Sequence, residues 1–494
     1  MTARVLMFQG TGSDVGKSVL VAGLCRLFHN RGLRVAPFKP QNMSNNSAVT
    51  PDGGEIGRAQ ALQARACGIE TSVHINPVLL KPEADHASQV ILQGRVAGRL
   101  NAKDWRKRRE MMLPVIAESF RHMIAAYDLL LVEGAGSPAE TNLREGDVAN
   151  MGFAETFGVP AVLIGDIDRG GVIASLVGTH QVLSPGDRAR IRAFLVNKFR
   201  GDASLFVAGL RTVTEYTGWR ALGIVPWLAA AVRLPAEDAV PLQTEMPRSR
   251  GDIHIAVPML AHIANFDDLD PLKAEPGVTV TFLPPGKPVP LDADAIVLPG
   301  TKSTIADLAF LRTQGWDIDI LAKARAGTRI LGLCGGYQML GQRISDPDGA
   351  DGQSSIADGL GLLDVETTMA ADKTVRRQQG YAQRYDARVD GYEIHMGTTS
   401  GPDCARPLLQ LGGHGDGAVS ADGRIEGTYL HGLFGSDGFR TQWIASLRGG
   451  ARPALDFAAH VDGALDEIAD SLRASLDIEA LLSVAEAPGW SPPT

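Results

Sequence analysis

The chain has 494 residues, of which 44% are hydrophobic and 21% are charged, and its formal net charge is −8. This length predicts two or more domains, and the acidic balance disfavours nucleic acid and anionic membranes as partners. No apolar run in the sequence approaches the roughly 20 residues that a membrane-spanning helix needs. The four cysteines stand far apart without a CxxC pair. We therefore expect a reduced, cytoplasmic protein without a disulfide framework or a structural zinc site.

Short apolar runs alternate with helical patterns along the first part of the chain, which is typical of an α/β fold around a mainly parallel sheet. Several of the runs are apolar almost without alternation, as expected for strands that are covered on both faces. The predicted strands are 4–9, 34–38, 129–133, 161–166 and 193–197. A helix is predicted over 17–30, because its leucines recur on one face.

A polar, proline-containing stretch at 236–251 predicts a linker. A second series of buried strands is predicted at 253–258, 278–283, 295–298 and 329–333. We therefore predict two α/β domains, at 1–235 and 252–445. The remaining residues, 446–494, predict terminal helices that pack on the second domain.

A glycine-rich turn follows the first predicted strand and leads into the predicted helix. It reads GTGSDVGKS from Gly10 to Ser18 and includes Gly12 and Gly16. Backbone N–H groups of such a turn and of the helix start bind phosphate, so the turn predicts a nucleoside triphosphate site. Lys17 would reach the terminal phosphates, and the Ser18 hydroxyl would ligate Mg²⁺. The leading glycine stands one residue earlier than in the common P-loop, a spacing found in dethiobiotin synthetase-like enzymes.

Two acidic residues are candidates to complete the metal site. Glu133 ends a predicted strand, so its carboxylate should emerge at the edge of the sheet where ligands bind. Glu55 lies in a loop ahead of a helix, and carboxylates are ordinary Mg²⁺ ligands. Asp166 and Asp168 also end a strand and compete for this role.

A lysine and an asparagine-rich segment follow the second predicted strand. Lys39 could counter the charge on a transferring phosphoryl group. The segment after it should lie at the same sheet edge, and it predicts contacts with a substrate. The candidates for these contacts are Gln41, Asn42, Ser44 and Asn45. Asn197, at the end of another strand, is the candidate for binding adenine.

The second domain contains a cysteine in the setting of a nucleophile. Cys334 lies in GLCGGYQ, between a predicted strand and a predicted helix, and small neighbours allow such a sharp junction. A helix N-terminus favours the thiolate, which is the reactive form of cysteine. The N–H of Gly335 and one from the loop at Gly300 would hold an oxyanion.

A histidine about a hundred residues later is the predicted base. His431, in EGTYLHG, would take the thiol proton and later protonate the leaving ammonia. Class I glutamine amidotransferases usually place Glu two residues after this histidine, where this chain has Leu433. Either another group orients His431, or the site works as a dyad. Glu393 and His395 are further candidates near this site.

Six longer motifs carry a family resemblance. They are FKPQNMSNN at 38–46, NPVLLKP at 76–82, VEGAGSP at 132–138, DIDRGG at 166–171, GGYQMLG at 335–341 and GTYLHG at 427–432. On these motifs, residues 1 to about 445 resemble the cobyric acid synthase family. The resemblance implies a dethiobiotin synthetase-like P-loop domain fused to a flavodoxin-like, class I-type glutamine amidotransferase domain. Members of that family also lack the usual third Glu, in agreement with Leu433.

The resemblance further implies the reaction and its components. With ATP, Mg²⁺ and L-glutamine, such an enzyme would amidate the b, d, e and g carboxylates of a cobalt-corrin substrate, adenosylcobyrinic acid a,c-diamide. One alternative is cobyrinic acid a,c-diamide synthase, which the asparagine-rich loop at 41–47 disfavours. Another is a ParA-type P-loop ATPase, which should carry a lysine where this chain has Gly10 and Thr11, and which leaves Cys334 and His431 unexplained. The oligomeric state stays open.

Overall fold

The computed structural model describes residues 3–82, 87–101, 105–235, 251–352, 354–448 and 455–490. The described residues form two compact units. Those of unit 1 fall within Met1–Ser44, Gly54–Pro235 and Val461–Thr494, and those of unit 2 within Asn45–Gly53 and Ala236–His460. All but the last residue of the predicted linker, 236–251, lies outside the described residues.

The regular elements of the described chain are numbered in chain order. The strands are β1 (Arg4–Gly10), β2 (Val35–Phe38), β3 (Gln41–Met43), β4 (Ser47–Val49), β5 (Glu55–Gly57), β6 (Val78–Pro82), β7 (Ala87–Leu92), β8 (Arg95–Asn101), β9 (Leu129–Glu133), β10 (Ala161–Asp166), β11 (Ile191–Phe199), β12 (Arg220–Pro226), β13 (Ile253–Pro258), β14 (Val278–Leu283), β15 (Ala295–Leu298), β16 (Arg329–Leu333), β17 (Arg343–Asp346), β18 (Ser355–Asp358), β19 (Glu366–Ala382), β20 (Ala387–Ser400), β21 (Leu409–Leu411), β22 (His414–Asp416), β23 (Ala418–Val419), β24 (Ile425–Thr428) and β25 (Leu430–His431). The α-helices are α1 (Lys17–Asn30), α2 (Arg58–Ala66), α3 (Trp105–Ala126), α4 (Met151–Phe157), α5 (Val172–Val182), α6 (Pro185–Arg190), α7 (Val207–Thr217), α8 (Asp270–Ala274), α9 (Thr304–Thr313), α10 (Trp316–Arg325), α11 (Gly335–Leu340), α12 (Asp437–Arg448), α13 (Phe457–Ser475) and α14 (Ile478–Val484). None of the helices in the described ranges is both long and apolar enough to cross a membrane.

Unit 1 is built on a six-stranded parallel sheet in the order β12-β11-β10-β1-β9-β2. Its central strands are buried along their whole length, as expected for strands that are covered on both faces. All five predicted strands of this part are present, although β11 extends beyond the predicted 193–197 at both ends. A second, four-stranded sheet has the order β3-β6-β7-β8.

The register of the parallel sheet places several polar side chains at one edge. Glu133 at the end of β9 lies beside Phe8 of β1, and Asp166 at the end of β10 lies beside Asn197 of β11. The carboxyl ends of parallel strands meet at one edge, which is where such sheets bind ligands. The glycine-rich turn leaves β1 at that same edge, after Gly10.

Unit 2 contains two sheets. The first has the order β14-β13-β15-β16-β24-β23 and is parallel except for the β23–β24 pair. Its four predicted strands have the predicted bounds. The second sheet runs β18-β17-β19-β20-β25, with β21 paired to β19 and β22 paired to β21. It is dominated by the long antiparallel β19–β20 pair. None of the strands of this second sheet was predicted from the sequence.

The prediction that the terminal helices pack on the second domain is wrong, because residues from Val461 onward belong to unit 1. The buried stripe of α13 packs on α1. A Cβ atom at Gly23 of α1 would lie 2.5 Å from Ile468 Cγ2 and 2.7 Å from Leu472 Cδ1, so the glycine permits close approach. The Arg26 guanidinium donates to Asp466 at 2.7 Å beside this contact. An amphipathic stripe predicts burial, but it does not say against which partner.

We expect Leu472→Ala to destabilise unit 1 by about 2–5 kcal/mol, because truncating a fully buried leucine removes apolar contacts and leaves a cavity. Leu472 is 0% exposed, whereas Leu205 of the same unit is 82% exposed, so Leu205→Ala is the matched control. Urea unfolding followed by tryptophan fluorescence measures both. Equal, small effects of the two substitutions would contradict the assigned packing of α13.

Candidate active sites

Cys334 stands at a sharp turn between β16 and α11. Its backbone has φ 50° and ψ −109°, an unusual conformation for a residue with a side chain. The turn is so compact that a Cβ atom at Gly332 would lie 2.6 Å from the Gly336 carbonyl oxygen, so glycine is needed there. The Cys334 N–H donates to the Thr428 carbonyl oxygen at 2.9 Å, which fixes the nucleophile to the neighbouring strand. Such strained turns are typical of nucleophiles.

The His431 imidazole is held by an aspartate. Its Nδ1 lies 2.7 Å from Asp268 Oδ2, and the Gly432 N–H donates to Asp268 Oδ1, also at 2.7 Å. Both side chains are almost completely buried. The other ring nitrogen, Nε2, has no hydrogen-bond partner among the described residues. Asp268 therefore fixes the ring orientation and leaves Nε2 for proton transfer, which is the role of the third member of a catalytic triad.

The electrostatics favour a protonated histidine. Burial alone lowers the pKa of the His431 imidazole, but the charge and hydrogen bond of Asp268 outweigh it. The Cys334 side chain adds to the same effect, and together these groups raise the pKa of His431 to about 10. An imidazolium next to a cysteine stabilises the thiolate, so this pair is suited to nucleophilic attack.

The predicted oxyanion loop lies against this pair. A Cβ atom at Gly300 would lie 3.2 Å from His431 Cε1 and 3.8 Å from Cys334 Cβ, so a larger residue would crowd both. A Cβ atom at Gly335 would lie 3.2 Å from the Thr301 backbone nitrogen. The two predicted glycines thus lie next to the nucleophile.

A network of polar side chains surrounds the cysteine turn. Gln338 of α11 accepts a hydrogen bond from Thr304 at 3.0 Å and donates to Tyr429 at 3.1 Å. The His395 ring stacks on Tyr429 at a centroid distance of 3.8 Å. Burial raises the pKa of Glu393, but hydrogen bonds from its neighbours outweigh this and lower it to about 2. These neighbours are His395, Arg376 and Gln378. Glu393 is therefore charged at neutral pH, and its role near the site stays a prediction.

In unit 1, the glycine-rich turn has the geometry of a phosphate-binding loop. Gly16 adopts the left-handed conformation, with φ 91° and ψ 23°, and α1 begins at the next residue, Lys17. The Lys17 ammonium donates to the carbonyl oxygens of Gly12 and Gly136, each at 3.1 Å. Asn197 donates to the Val15 carbonyl oxygen at 2.8 Å and so supports the loop from behind. Its predicted contact with adenine stays a prediction.

Glu133 is the centre of a buried cluster at the end of β9. Its Oε1 accepts from the Ser18 hydroxyl at 2.7 Å and from the Lys39 ammonium at 2.9 Å, and its Oε2 accepts from Gln63 at 2.6 Å. The structure therefore brings together three of the residues predicted for the nucleotide site, namely Ser18, Lys39 and Glu133. Gln63, on α2, was not predicted.

The other acidic candidates have cationic partners. Glu55 forms a buried ion pair with Lys81, and its role as a metal ligand stays a prediction. Asp166 accepts from the Lys198 ammonium at 2.8 Å, and Asp168 accepts from an arginine, Arg200, at 2.7 Å.

The predicted substrate residues have different settings. Gln41 and Asn42 lie on β3, and the Asn42 amide donates to Gln60 at 2.8 Å. The Ser44 N–H donates to the Leu80 carbonyl oxygen at 3.1 Å. Asn45 belongs to unit 2 and its Oδ1 has no hydrogen-bond partner among the described residues.

Comparison with known proteins assigns both units. Residues 6–242 match the CobQ/CobB/MinD/ParA nucleotide binding domain, and residues 254–439 match the CobB/CobQ-like glutamine amidotransferase domain. A cobyric acid synthase of Hyphomonas neptunium is 60% identical to this chain, with 99% of each chain covered. Cobyric acid synthases of Brucella suis and Cereibacter sphaeroides are each 58% identical, covering 98% and 97% of this chain and 100% and 99% of their own.

The chain belongs to the cobyric acid synthase family. Its two domains, one nucleotide-binding and one a glutamine amidotransferase, are those of a glutamine-dependent amidoligase. The α/β fold with two domains is confirmed, and a ParA-type ATPase with a silent second domain is ruled out.

Sequence reasoning missed Asp268 in this member of the cobyric acid synthase family. The available signal was its position, because 259–270 follow β13 at the carboxyl edge of the same sheet that carries Gly300 and Cys334. Three acids in this stretch, Asp267, Asp268 and Asp270, compete for the role. Only the conformation of the segment selects Asp268.

We expect Asp268→Asn to lower kcat for glutamine hydrolysis by roughly 10²–10⁴-fold, because the amide no longer stabilises the imidazolium or fixes its tautomer. KM for glutamine should change little. The matched control is Asp270→Asn, since Asp270 pairs with Lys273 at 3.7 Å and makes no hydrogen bond to His431. Steady-state glutaminase assays of both variants test this. Near-normal turnover by Asp268→Asn would show that the enzyme works as a Cys334–His431 dyad.

Proposed function

We propose that the protein amidates the b, d, e and g carboxylates of adenosylcobyrinic acid a,c-diamide, using ATP and ammonia released from L-glutamine. The observation that carries this proposal is the Cys334–His431–Asp268 arrangement on a chain that also holds a phosphate-binding loop. The full-length similarity to cobyric acid synthases supports the choice of substrate.

The first half-reaction is the hydrolysis of glutamine. The Cys334 thiolate attacks the side-chain amide carbon, and the N–H groups at Gly335 and in the Gly300 loop stabilise the resulting oxyanion. His431 then donates its proton to the amide nitrogen, the C–N bond breaks, and ammonia leaves. Water hydrolyses the remaining thioester, which gives glutamate and restores the thiol. Asp268 keeps the imidazole oriented through each of these steps.

The second half-reaction activates a carboxylate. Hydroxide or oxide is too poor a leaving group at neutral pH, so the carboxylate oxygen first attacks the γ-phosphorus of ATP and ADP leaves. Ammonia then attacks the acyl phosphate carbon and releases phosphate. Lys17 and Lys39 would neutralise charge on the transferring phosphoryl group, since positioning and electrostatics dominate this chemistry. Gly10, Gly12 and Gly16 would let the backbone approach the phosphates.

Ser18, in the first turn of α1, and Glu133, at the end of β9, would fit a magnesium ion. Ser18 Oγ and Glu133 Oε1 lie 2.7 Å apart, and hydroxyl and carboxylate oxygens are the donors that Mg²⁺ prefers. No group of three or more His, Cys, Asp or Glu side chains suited to a metal occurs in the described ranges. Mg²⁺ is usually held by one or two protein groups together with substrate phosphates, so Ser18 and Glu133 would suffice as its protein ligands. When bound, the ion would neutralise charge on the phosphates.

The remaining assignments are proposals on the same basis. Gln41, Asn42, Ser44 and Asn45 are proposed to contact the corrin substrate. Asn197 is proposed to lie near the adenine, and Glu55 to assist the metal. We also propose a cytoplasmic location and small-molecule partners, in keeping with the acidic charge and four free cysteines.

Mass spectrometry tests the substrate directly. Cobyrinic acid a,c-diamide in its adenosyl form, incubated with protein, Mg²⁺–ATP and glutamine, should lose mass in up to four steps, each equal to the exchange of OH for NH₂. Reactions without ATP are the control and should leave the corrin unchanged. If glutamine is hydrolysed but the corrin is unchanged in the complete reaction, the glutaminase assignment stands and the proposed substrate is rejected.

The separation of the two half-reactions is tested by Cys334→Ser. We expect glutamine-dependent amidation to fall at least about 10³-fold, because the weaker nucleophile cannot form the thioester at a useful rate. Amidation with ammonium salts should persist at the wild-type level. The matched control is Cys404→Ser, a half-buried cysteine of the same unit that should retain both activities. Loss of ammonium-dependent amidation in Cys334→Ser would contradict independent roles for the two sites.

A further inference from the structure

A short segment of the chain belongs to unit 2, although the residues on both sides of it belong to unit 1. This segment, Asn45–Gly53, includes Asn46, which is 2% exposed. Asn46 Oδ1 accepts a hydrogen bond from the Asn265 backbone N–H at 2.8 Å. In return, Asn265 Oδ1 accepts from the Ser47 backbone N–H at 3.0 Å. The two asparagines thus form a reciprocal, fully buried pair across 219 positions of sequence.

Asn265 occupies a special position in the glutaminase site. It adopts the left-handed conformation, with φ 51° and ψ 39°, immediately before the 3-10 turn Phe266–Leu269. That turn carries Asp268, whose N–H donates to the Asn265 carbonyl oxygen at 3.1 Å. The left-handed conformation is unfavourable for L-residues, and asparagine is among the few that tolerate it. The direction of Asp268 therefore depends on the backbone of Asn265.

We propose that Asn46 is a positioning residue for glutamine hydrolysis. By accepting the Asn265 N–H, it holds the left-handed turn that directs Asp268 at His431. This inference rests on the glutaminase half of the proposed function. Asn46 acts through Asn265 and Asp268 and touches no reacting atom.

The segment has an apolar anchor that does not depend on Asn46. Val49 packs in a small cluster with Tyr392, Ile394 and Val375. Tyr392 in turn stacks on the His431 ring, with centroids 5.4 Å apart and planes 18° apart. Removing the Asn46 side chain therefore leaves the segment docked, and its effect reports on the turn.

The test is the kinetics of Asn46→Ala in the full chain. We expect kcat for glutamine hydrolysis to fall roughly two- to tenfold, the change that loss of one buried hydrogen bond produces. KM for glutamine should stay constant, because Asn46 does not contact the substrate. Amidation driven by ammonium salts should also be unchanged, since it bypasses Cys334 and His431.

The matched control is Ser47→Ala at the next position. Ser47 is also buried, its hydroxyl has no hydrogen-bond partner among the described residues, and the substitution keeps the backbone N–H that donates to Asn265. It should retain full glutaminase activity. At Asn265, glycine should retain more activity than alanine, because glycine adopts the left-handed conformation without strain.

The outcomes are distinguishable. An Asn46→Ala enzyme with wild-type glutaminase kcat overturns the inference. Equal losses of glutamine-dependent and ammonium-dependent amidation also overturn it, because they place Asn46 in the other half-reaction. A wild-type protein without glutaminase activity instead rejects the proposed function itself.

Discussion

The hydrogen bond between Asp268 and His431 is the interaction on which the proposed glutaminase site depends. A buried charge is stable only when it is paired, and here the carboxylate and the imidazole supply each other's partner at 2.7 Å. The parallel sheet makes the pairing possible. Strands β13, β15, β16 and β24 are neighbours, and the segments that follow them carry Asp268, Gly300, Cys334 and His431. One sheet edge thus assembles residues from four distant parts of the chain.

The same constraint operates in unit 1, where β1, β9 and β10 end at one edge. At this edge the Glu133 carboxylate accepts hydrogen bonds from three side chains. It is buried, so it must find donors, and it takes Ser18 from the start of α1, Lys39 from after β2 and Gln63 from α2. Each partner follows a different strand or loop. Donors that are fixed around one carboxylate in this way are the kind of preorganisation on which phosphoryl transfer relies.

The features that could be predicted from the sequence are those that depend on local patterns, such as apolar runs and clustered glycines. Strands such as β9 and β16 are mainly apolar, and Cys334 is marked by nearby glycines. The second sheet of unit 2 was missed because β19 is largely exposed and polar, with no continuous apolar run. The partner of α13 was wrongly predicted because its stripe fits any apolar surface. Asp268 was missed because its role depends on the left-handed backbone of Asn265, which no local pattern encodes.

Leu433, two residues after His431, occupies an apolar position, and the carboxylate that contacts the histidine comes from a distant segment of the chain. Leu433 is 1% exposed and packs in a cluster with Phe434, Phe439 and Trp443. A carboxylate there would be buried among these apolar side chains, and burying a charge is costly unless it is paired. Asp268 has no such difficulty, because the Gly432 N–H satisfies one of its oxygens while the other binds the imidazole. The proposed triad therefore needs no glutamate after the histidine, and the core keeps its leucine.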